Sequence, residues 1–258
     1  MDRDGSKRLQ ALNPDGSPRW NFTVDTLVET YSSPALDIDG DIYFGADGLY
    51  AISSEGAFMW RFPGPRGTPL VARGRILLTF GYEGNDAYLY AMQLDGSLIW
   101  KKVRIAAGDP SFETPAVGCD DMVYTRDGDG YLYSRYPYNG TERWRVQVGN
   151  AWRGDNSPTV GRDCTVYVPH SDRVVAVDPD GSLRWSYTVP GGLFTFNIAL
   201  GPDGTLYFAT TQDHLVALNP DGALVWDIGG LGVGTHHNNP AVSTDGILFI
   251  GSDHDDGT

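Results

Sequence analysis

Ala176-Val177-Asp178-Pro179-Asp180-Gly181-Ser182-Leu183-Arg184-Trp185 is a stretch that the chain repeats from end to end. Near copies run Ala11 to Trp20, Ala51 to Trp60, Ala91 to Trp100, Ser134 to Trp144 and Ala217 to Trp226, and their tryptophans stand 40, 40, 44, 41 and 41 residues apart. Self-similarity at that period marks an array in which each copy is one supersecondary unit that buries its apolar faces against its neighbours.

Working outward from this copy gives the unit. Ser157 to Val160 predicts a short first strand, Gly161-Arg162-Asp163 a turn, and Cys164 to Val168 a second strand. His170-Ser171-Asp172 then predicts a connection, Arg173 to Val177 a third strand, Pro179-Asp180-Gly181 a hairpin turn, and Leu183 to Val189 a fourth. Short apolar runs separated by Gly and Asp turns make one antiparallel sheet of four strands. The first strands align as Pro34-Ala35-Leu36, Pro69-Leu70-Val71, Pro115-Ala116-Val117, Pro158-Thr159-Val160, Ile198-Ala199-Leu200 and Pro240-Ala241-Val242, which makes six sheets. Small residues there suit strands crowded around an axis, and proline at a strand's first residue costs no ladder bond.

Composition agrees. The chain has 258 residues, 33 of them glycine, with 12% aromatics. No long segment carries a helical period, so the expectation is a single all-β domain over residues 1–258. Asn239 to Gly257 supply a first and a second strand, and Lys7 to Phe22 a third and a fourth. Joined, they complete one unit, which predicts a six-bladed β-propeller of four-stranded blades, closed by a blade shared between the termini. Closure also pairs the exposed strand edges.

The net charge of −14 and the lack of a basic stripe argue against nucleic acid, whose phosphates are held by clustered Lys and Arg. Much of the acidity has a structural source in twelve Asp-Gly dipeptides, most at predicted turns. No run has the length of a membrane span, and Met1-Asp2-Arg3-Asp4-Gly5 shows no apolar leader, so the compartment stays open. Cys119 and Cys164 lack zinc-site spacing. They fall in first-to-second turns of adjacent units, where one disulfide is an open alternative if the protein is extracytoplasmic.

The pattern Ala-x-Asp-x-x-x-Gly-x-x-x-Trp, followed by a Ser-Pro-Ala strand and a Tyr-rich second strand, resembles the PQQ-like β-propeller repeat of quinoprotein dehydrogenases and BamB-like propellers. The likeness covers essentially the whole chain. It implies that Trp20, Trp60, Trp100, Trp144, Trp185 and Trp226 hold neighbouring blades together. The third-position Asp survives only as Asp178; Asn13 and Asn219 are near it, and Ser53, Gln93 and Tyr136 depart. WD40 and kelch propellers are set aside, because the Gly-His and double-glycine signatures do not recur in phase.

The loops entering first strands and those joining second to third strands belong to one face of each such unit. All five histidines map there: His236 and His237 before a first strand, and His170, His214 and His254 beside second-to-third connections. Trp152, the tryptophan out of phase, also precedes a first strand. Function is therefore expected on that face. The residues nearest the axis break the repeat, and Tyr31, Arg66, Phe112, Glu113, Trp152, Asp155, Phe196 and His237 are the expected ligand-binding set. One Arg, carboxylates, aromatics and a His are what a polar ligand pocket needs. Free variation of unconstrained loops is the competing explanation.

As an enzyme, the chain would use His237 or His236 with Tyr31, since imidazole titrates near neutrality. The Asp-rich turns lack the later bidentate Glu of an EF-hand loop, and Asp127 and Asp129 are only weak calcium candidates. Quinoprotein dehydrogenases of the family commonly place an adjacent Cys-Cys disulfide beside PQQ and calcium. Cys119 and Cys164 are isolated here, so no cofactor is expected and PQQ with calcium is the lesser alternative. Three functions stay open: a non-catalytic binding or scaffold propeller, a small-molecule enzyme of divergent quinoprotein or carbohydrate-active type, and a structural module of a larger protein. The first leads, with a protein segment or glycan as partner, a monomeric state, and an extracytoplasmic location implied by the resemblance.

Overall fold

The computed structural model describes residues 7–24, 32–72, 76–83, 86–103, 114–150, 157–190, 197–231 and 239–251. Among these, every named element is a β-strand and every strand pairing is antiparallel. The chain divides into two compact units, one made of residues 1–104, 110–114 and 138–140, the other of 105–109, 115–137 and 141–258.

The first unit holds a two-stranded sheet, β1 (Lys7–Leu12) with β2 (Pro18–Val24). A four-stranded sheet follows, β3 (Ala35–Leu36), β4 (Ile42–Gly45), β5 (Leu49–Ile52) and β6 (Phe58–Phe62), and then another, β7 (Leu70–Ala72), β8 (Ile76–Glu83), β9 (Asp86–Gln93) and β10 (Leu98–Val103). The second unit carries β11 (Ala116–Val117), β12 (Val123–Arg126), β13 (Tyr131–Arg135) and β14 (Glu142–Gln147). Next come β15 (Thr159–Val160), β16 (Val166–His170), β17 (Arg173–Val177) and β18 (Leu183–Thr188), and then β19 (Ala199–Leu200), β20 (Leu206–Ala209), β21 (His214–Leu218) and β22 (Leu224–Gly229). A two-stranded sheet of β23 (Ala241–Val242) and β24 (Leu248–Phe249) ends it. In each complete sheet the spatial order follows the chain.

Burial explains the sequence pattern. β4, β5, β12 and β16 are buried at every position, because both faces of a middle strand pack on side chains. Outer strands such as β14 and β18 alternate between exposed and half-buried. Tyr43, Leu49 and Ala51 pack with Tyr90 and Met92 in the first unit, and Tyr167, Val174 and Ala176 with Leu206, Phe208 and Val216 in the second. Buried tyrosine hydroxyls need acceptors. Tyr43 and Tyr124 donate to the turn carboxylates of Asp37 and Asp120, both at 2.8 Å, and burial together with those carboxylates pushes both phenols well above their ordinary range.

The repeated tryptophans bind the next hairpin along the chain. Trp20, Trp60, Trp144 and Trp185 donate Nε1 to the carbonyls of Ser54, Leu94, Pro179 and Pro220, at 2.8–3.0 Å. Their rings, with that of Trp100, cover glycines 56, 96, 140, 181 and 222, where a Cβ would stand within 2.9 Å of an indole carbon. The end copies differ. Space around the Cα of Gly16 is open, and among the described residues Trp226 Nε1 has no acceptor, its ring lying 5.7 Å from that of Tyr207.

Two expected boundaries move. β16 begins at Val166 because Cys164 takes a left-handed backbone (φ +67°) that closes the preceding turn. It also runs through His170, which pairs with Arg173 across the tight Ser171-Asp172 turn. His170 is therefore a strand residue and not part of a connection, and His214 is likewise the first residue of β21.

Candidate functional site

On the expected face, the residues that open the first strands are tied from one sheet to the next. Ser33 N donates to Thr68 Oγ1 (3.1 Å), Ser157 N to Asn197 Oδ1 (2.8 Å) and Asn197 N to Asn239 Oδ1 (3.1 Å). This zipper was visible in the sequence only as a recurring Ser, Thr or Asn. Arg66 sits beside it. The amides of Arg66 and Gly67 both donate to the Phe80 carbonyl, at 3.1 and 3.0 Å, and Gly67 O accepts the Thr79 hydroxyl at 3.0 Å. The backbone is thus fixed while the Arg66 side chain is exposed. Tyr31, Phe112, Glu113, Trp152, Asp155, Phe196, His236, His237 and His254 lie outside the described residues.

A buried polar cluster underlies the same ends of β12, β13 and β16. Arg126, Asp127 and His170 are each at most 2% exposed. Asp127 closes the β12–β13 hairpin: Oδ1 accepts the amides of Asp129 and Tyr131 at 3.0 and 2.9 Å, and Oδ2 accepts the Tyr133 hydroxyl at 2.6 Å. The Arg135 guanidinium lies 4.8 Å over the Tyr133 ring, a cation–π contact. These bonds give Asp127 a structural task. No group of three or more His, Cys, Asp or Glu among the described residues is arranged to hold a metal ion.

Burial lowers the His170 pKa from its ordinary value, and the Arg126 charge adds to this. A hydrogen bond with the Asn150 backbone opposes it, Arg173 acts with burial, and Asp172 acts against it. Below about pH 6.5 the unfolded chain binds a proton that the folded chain refuses, so stability is expected to fall as pH drops from there towards the lowered pKa. Urea titrations of wild type and His170→Asn between pH 5 and 7.5 check this. Wild type should lose stability on acidification and the variant should show a flatter slope; equal slopes count against the assignment.

His214 Nδ1 stands 2.6 Å from Asp227 Oδ1, joining the ends of β21 and β22. Both side chains are partly exposed, and such a pair contributes about 0–1 kcal/mol.

The opposite ends of the second unit's sheets are more elaborate than their Asp-Gly turns suggested. Cys119, in the β11–β12 turn, forms a disulfide with Cys164, in the β15–β16 turn, with Cα atoms 5.4 Å apart. Beside it, Arg143 reaches Asp120 at 2.8 Å, and Arg184 reaches Asp163 at 2.8 Å and Asp178 at 2.7 Å. Burial works against the Asp163 carboxylate, but the Thr165 hydroxyl and Arg184 outweigh it and hold it below the usual range. Past this sheet lies a cavity of about 550 Å³, between the β15–β16, β19–β20 and β23–β24 turns. Leu200, Pro202 and Pro220 give it apolar walls, and Arg162 and Asp203 are among its charged residues.

These sheets, with their four-strand repeat and tryptophan contacts, define an all-β protein of PQQ-like propeller repeats. A family model described as outer membrane protein assembly factor BamB matches residues 5–170, 104–195 and 170–254, and the chain belongs to that family. No curated protein sequence matches it. Among solved structures, BamB from Moraxella catarrhalis superposes with a TM-score of 0.68 at 16% identity, covering 96% of this chain and 77% of that one. Virginiamycin B lyase from Staphylococcus aureus gives 0.67 at 10% identity over 96% and 89%. Quinohemoprotein alcohol dehydrogenase from Comamonas testosteroni gives 0.58 at 17%, over 80% of this chain and 44% of that one. At these identities the likenesses establish the β-propeller fold and leave the chemistry to the residues.

Proposed function

We propose that this protein is a non-catalytic binding propeller that holds a segment of a protein partner in an extracytoplasmic compartment. The observation that carries this reading is the match to an assembly-factor family along nearly the whole chain. The Cys119–Cys164 disulfide supports the compartment, because such bonds persist where thiols are not kept reduced. No helix of the described residues is long and apolar enough to cross a membrane.

The binding face we assign is the one bearing Arg66, with Tyr31, Phe112, Glu113, Trp152, Asp155, Phe196 and His237 in the loops before the first strands. An exposed guanidinium on a pinned backbone is suited to hold a carboxylate or carbonyl of a partner without ordering a loop first. We also assign six blades in one domain, with the β23–β24 and β1–β2 sheets joined as a single blade. The repeated tryptophans from Trp20 to Trp185 then act as docking residues between successive sheets.

The test is capture of a purified envelope protein by the immobilised chain. Arg66→Ala and Trp152→Ala should each reduce capture at least tenfold, and Arg66→Ala, at an exposed side chain, should shift the melting temperature by less than about 2 °C. Unchanged capture in both variants sinks the assigned face. Turnover of a small substrate that disappears in His237→Ala would replace the binding reading with an enzymatic one.

A further inference from the structure

Three successive turns of the second unit are built alike: Gly118-Cys119-Asp120-Asp121, Gly161-Arg162-Asp163-Cys164 and Gly201-Pro202-Asp203-Gly204. The third residue of each is an aspartate, and the fourth has a positive φ. In the first two sheets that aspartate is clasped by an arginine standing just before the fourth-strand tryptophan. Arg143 precedes Trp144 and binds Asp120; Arg184 precedes Trp185 and binds Asp163. In the third sheet the residue before Trp226 is Val225, half-exposed at 54%.

Among the described residues, Asp203 accordingly has no arginine. Its carboxylate accepts the Thr205 amide (3.0 Å) and hydroxyl (2.9 Å), which with its own amide hold it below the usual carboxylate range. A carboxylate has about four lone-pair sites, so acceptor capacity is left over. The neighbouring junction is also open. Cys119 occupies the second position of its turn and Cys164 the fourth of the next; one sheet further on, those two positions are Arg162 and Gly204, which cannot bond. Both line the 550 Å³ cavity, as does Asp203.

We propose that this cavity receives one arginine side chain from a partner polypeptide, its guanidinium on Asp203 and its methylenes along Leu200, Pro202 and Pro220. The molecule supplies its own template twice, since Arg143 and Arg184 show what the third position of this turn accepts. A guanidinium fork fits a carboxylate in a way that a lysine ammonium does not, and its stem covers apolar surface. Arg162, which has no ion pair among the described residues, faces the same cavity and disfavours a run of basic residues. The chain's net charge of −14 favours approach of a cationic segment.

The partner class rests on the binding reading above, but the site is tested without any partner. The probes are acetyl-Gly-Arg-Gly-amide and its citrulline and lysine counterparts, titrated by NMR against the intact protein. The arginine peptide should bind saturably in the millimolar range, with lysine several-fold weaker and citrulline, which lacks the charge, at least tenfold weaker. Asp203→Asn should weaken the arginine peptide at least tenfold. Val225→Arg, which rebuilds the internal clasp, should block it equally. Absent saturation, equal affinity for citrulline, or binding unchanged in both variants overturns the site. Failure of the peptide leaves the binding reading to the capture experiment; peptide binding with no partner captured keeps the site and removes that reading.

Discussion

Removing the Cys119–Cys164 bridge is expected to lower the melting temperature by about 8–16 °C. The cysteines are 45 residues apart in sequence. Tying a loop of that length restricts the unfolded chain by about 4 kcal/mol of loop-closure entropy. For a chain of this size each kcal/mol moves the melting temperature by about 2–4 °C. The native structure loses little else, because Arg184 still reaches Asp163 and Arg143 still reaches Asp120. Calorimetry of Cys119→Ala/Cys164→Ala against wild type, each with and without reductant, measures the effect. Wild type should fall to the level of the double variant on reduction, and the variant should not respond. A difference under about 2 °C would mean that the bridge is absent or that the unfolded chain is already restricted there.

The repeat was legible because a hairpin imposes local demands on sequence. The Asp-Gly turns, alternating outer strands and buried middle strands of β15 to β18 can each be read within a dozen residues. His170 was misplaced because a two-residue turn leaves no margin: moving the boundary by one residue takes a side chain from a loop into a buried strand position. Pairings between sheets were harder. The disulfide stayed an open alternative because nothing in either turn alone requires it, and the Arg184–Asp163 clasp joins residues 21 apart whose types are ordinary on any surface. The cavity was missed for the same reason. Its walls come from the turns of three sheets, at Arg162, Asp203 and Ser243, and nothing within one turn brings them together. Arg66 could be singled out in sequence because it breaks the sixfold pattern, whereas the amide bonds that fix its backbone could not.

Trp185→Ala is expected to cost about 3–5 kcal/mol, the usual range for deleting a packed aromatic. The indole lies over Gly222 and donates to the Pro220 carbonyl at 2.9 Å, so truncation opens a void and strands an acceptor. Gly222→Ala attacks the same contact from the other side. Its φ of +81° strains any residue with a Cβ, and that Cβ would stand 2.6 Å from indole Cδ2. Once Trp185 is gone the clash disappears, so the double variant should be more stable than the sum of the two losses predicts, by about 1–2 kcal/mol. Additive losses would show that the indole and the glycine do not meet. The same measurement on Trp226→Ala should show less than half the loss of Trp185→Ala, because its ring meets Tyr207 of its own sheet and its Nε1 has no acceptor among the described residues.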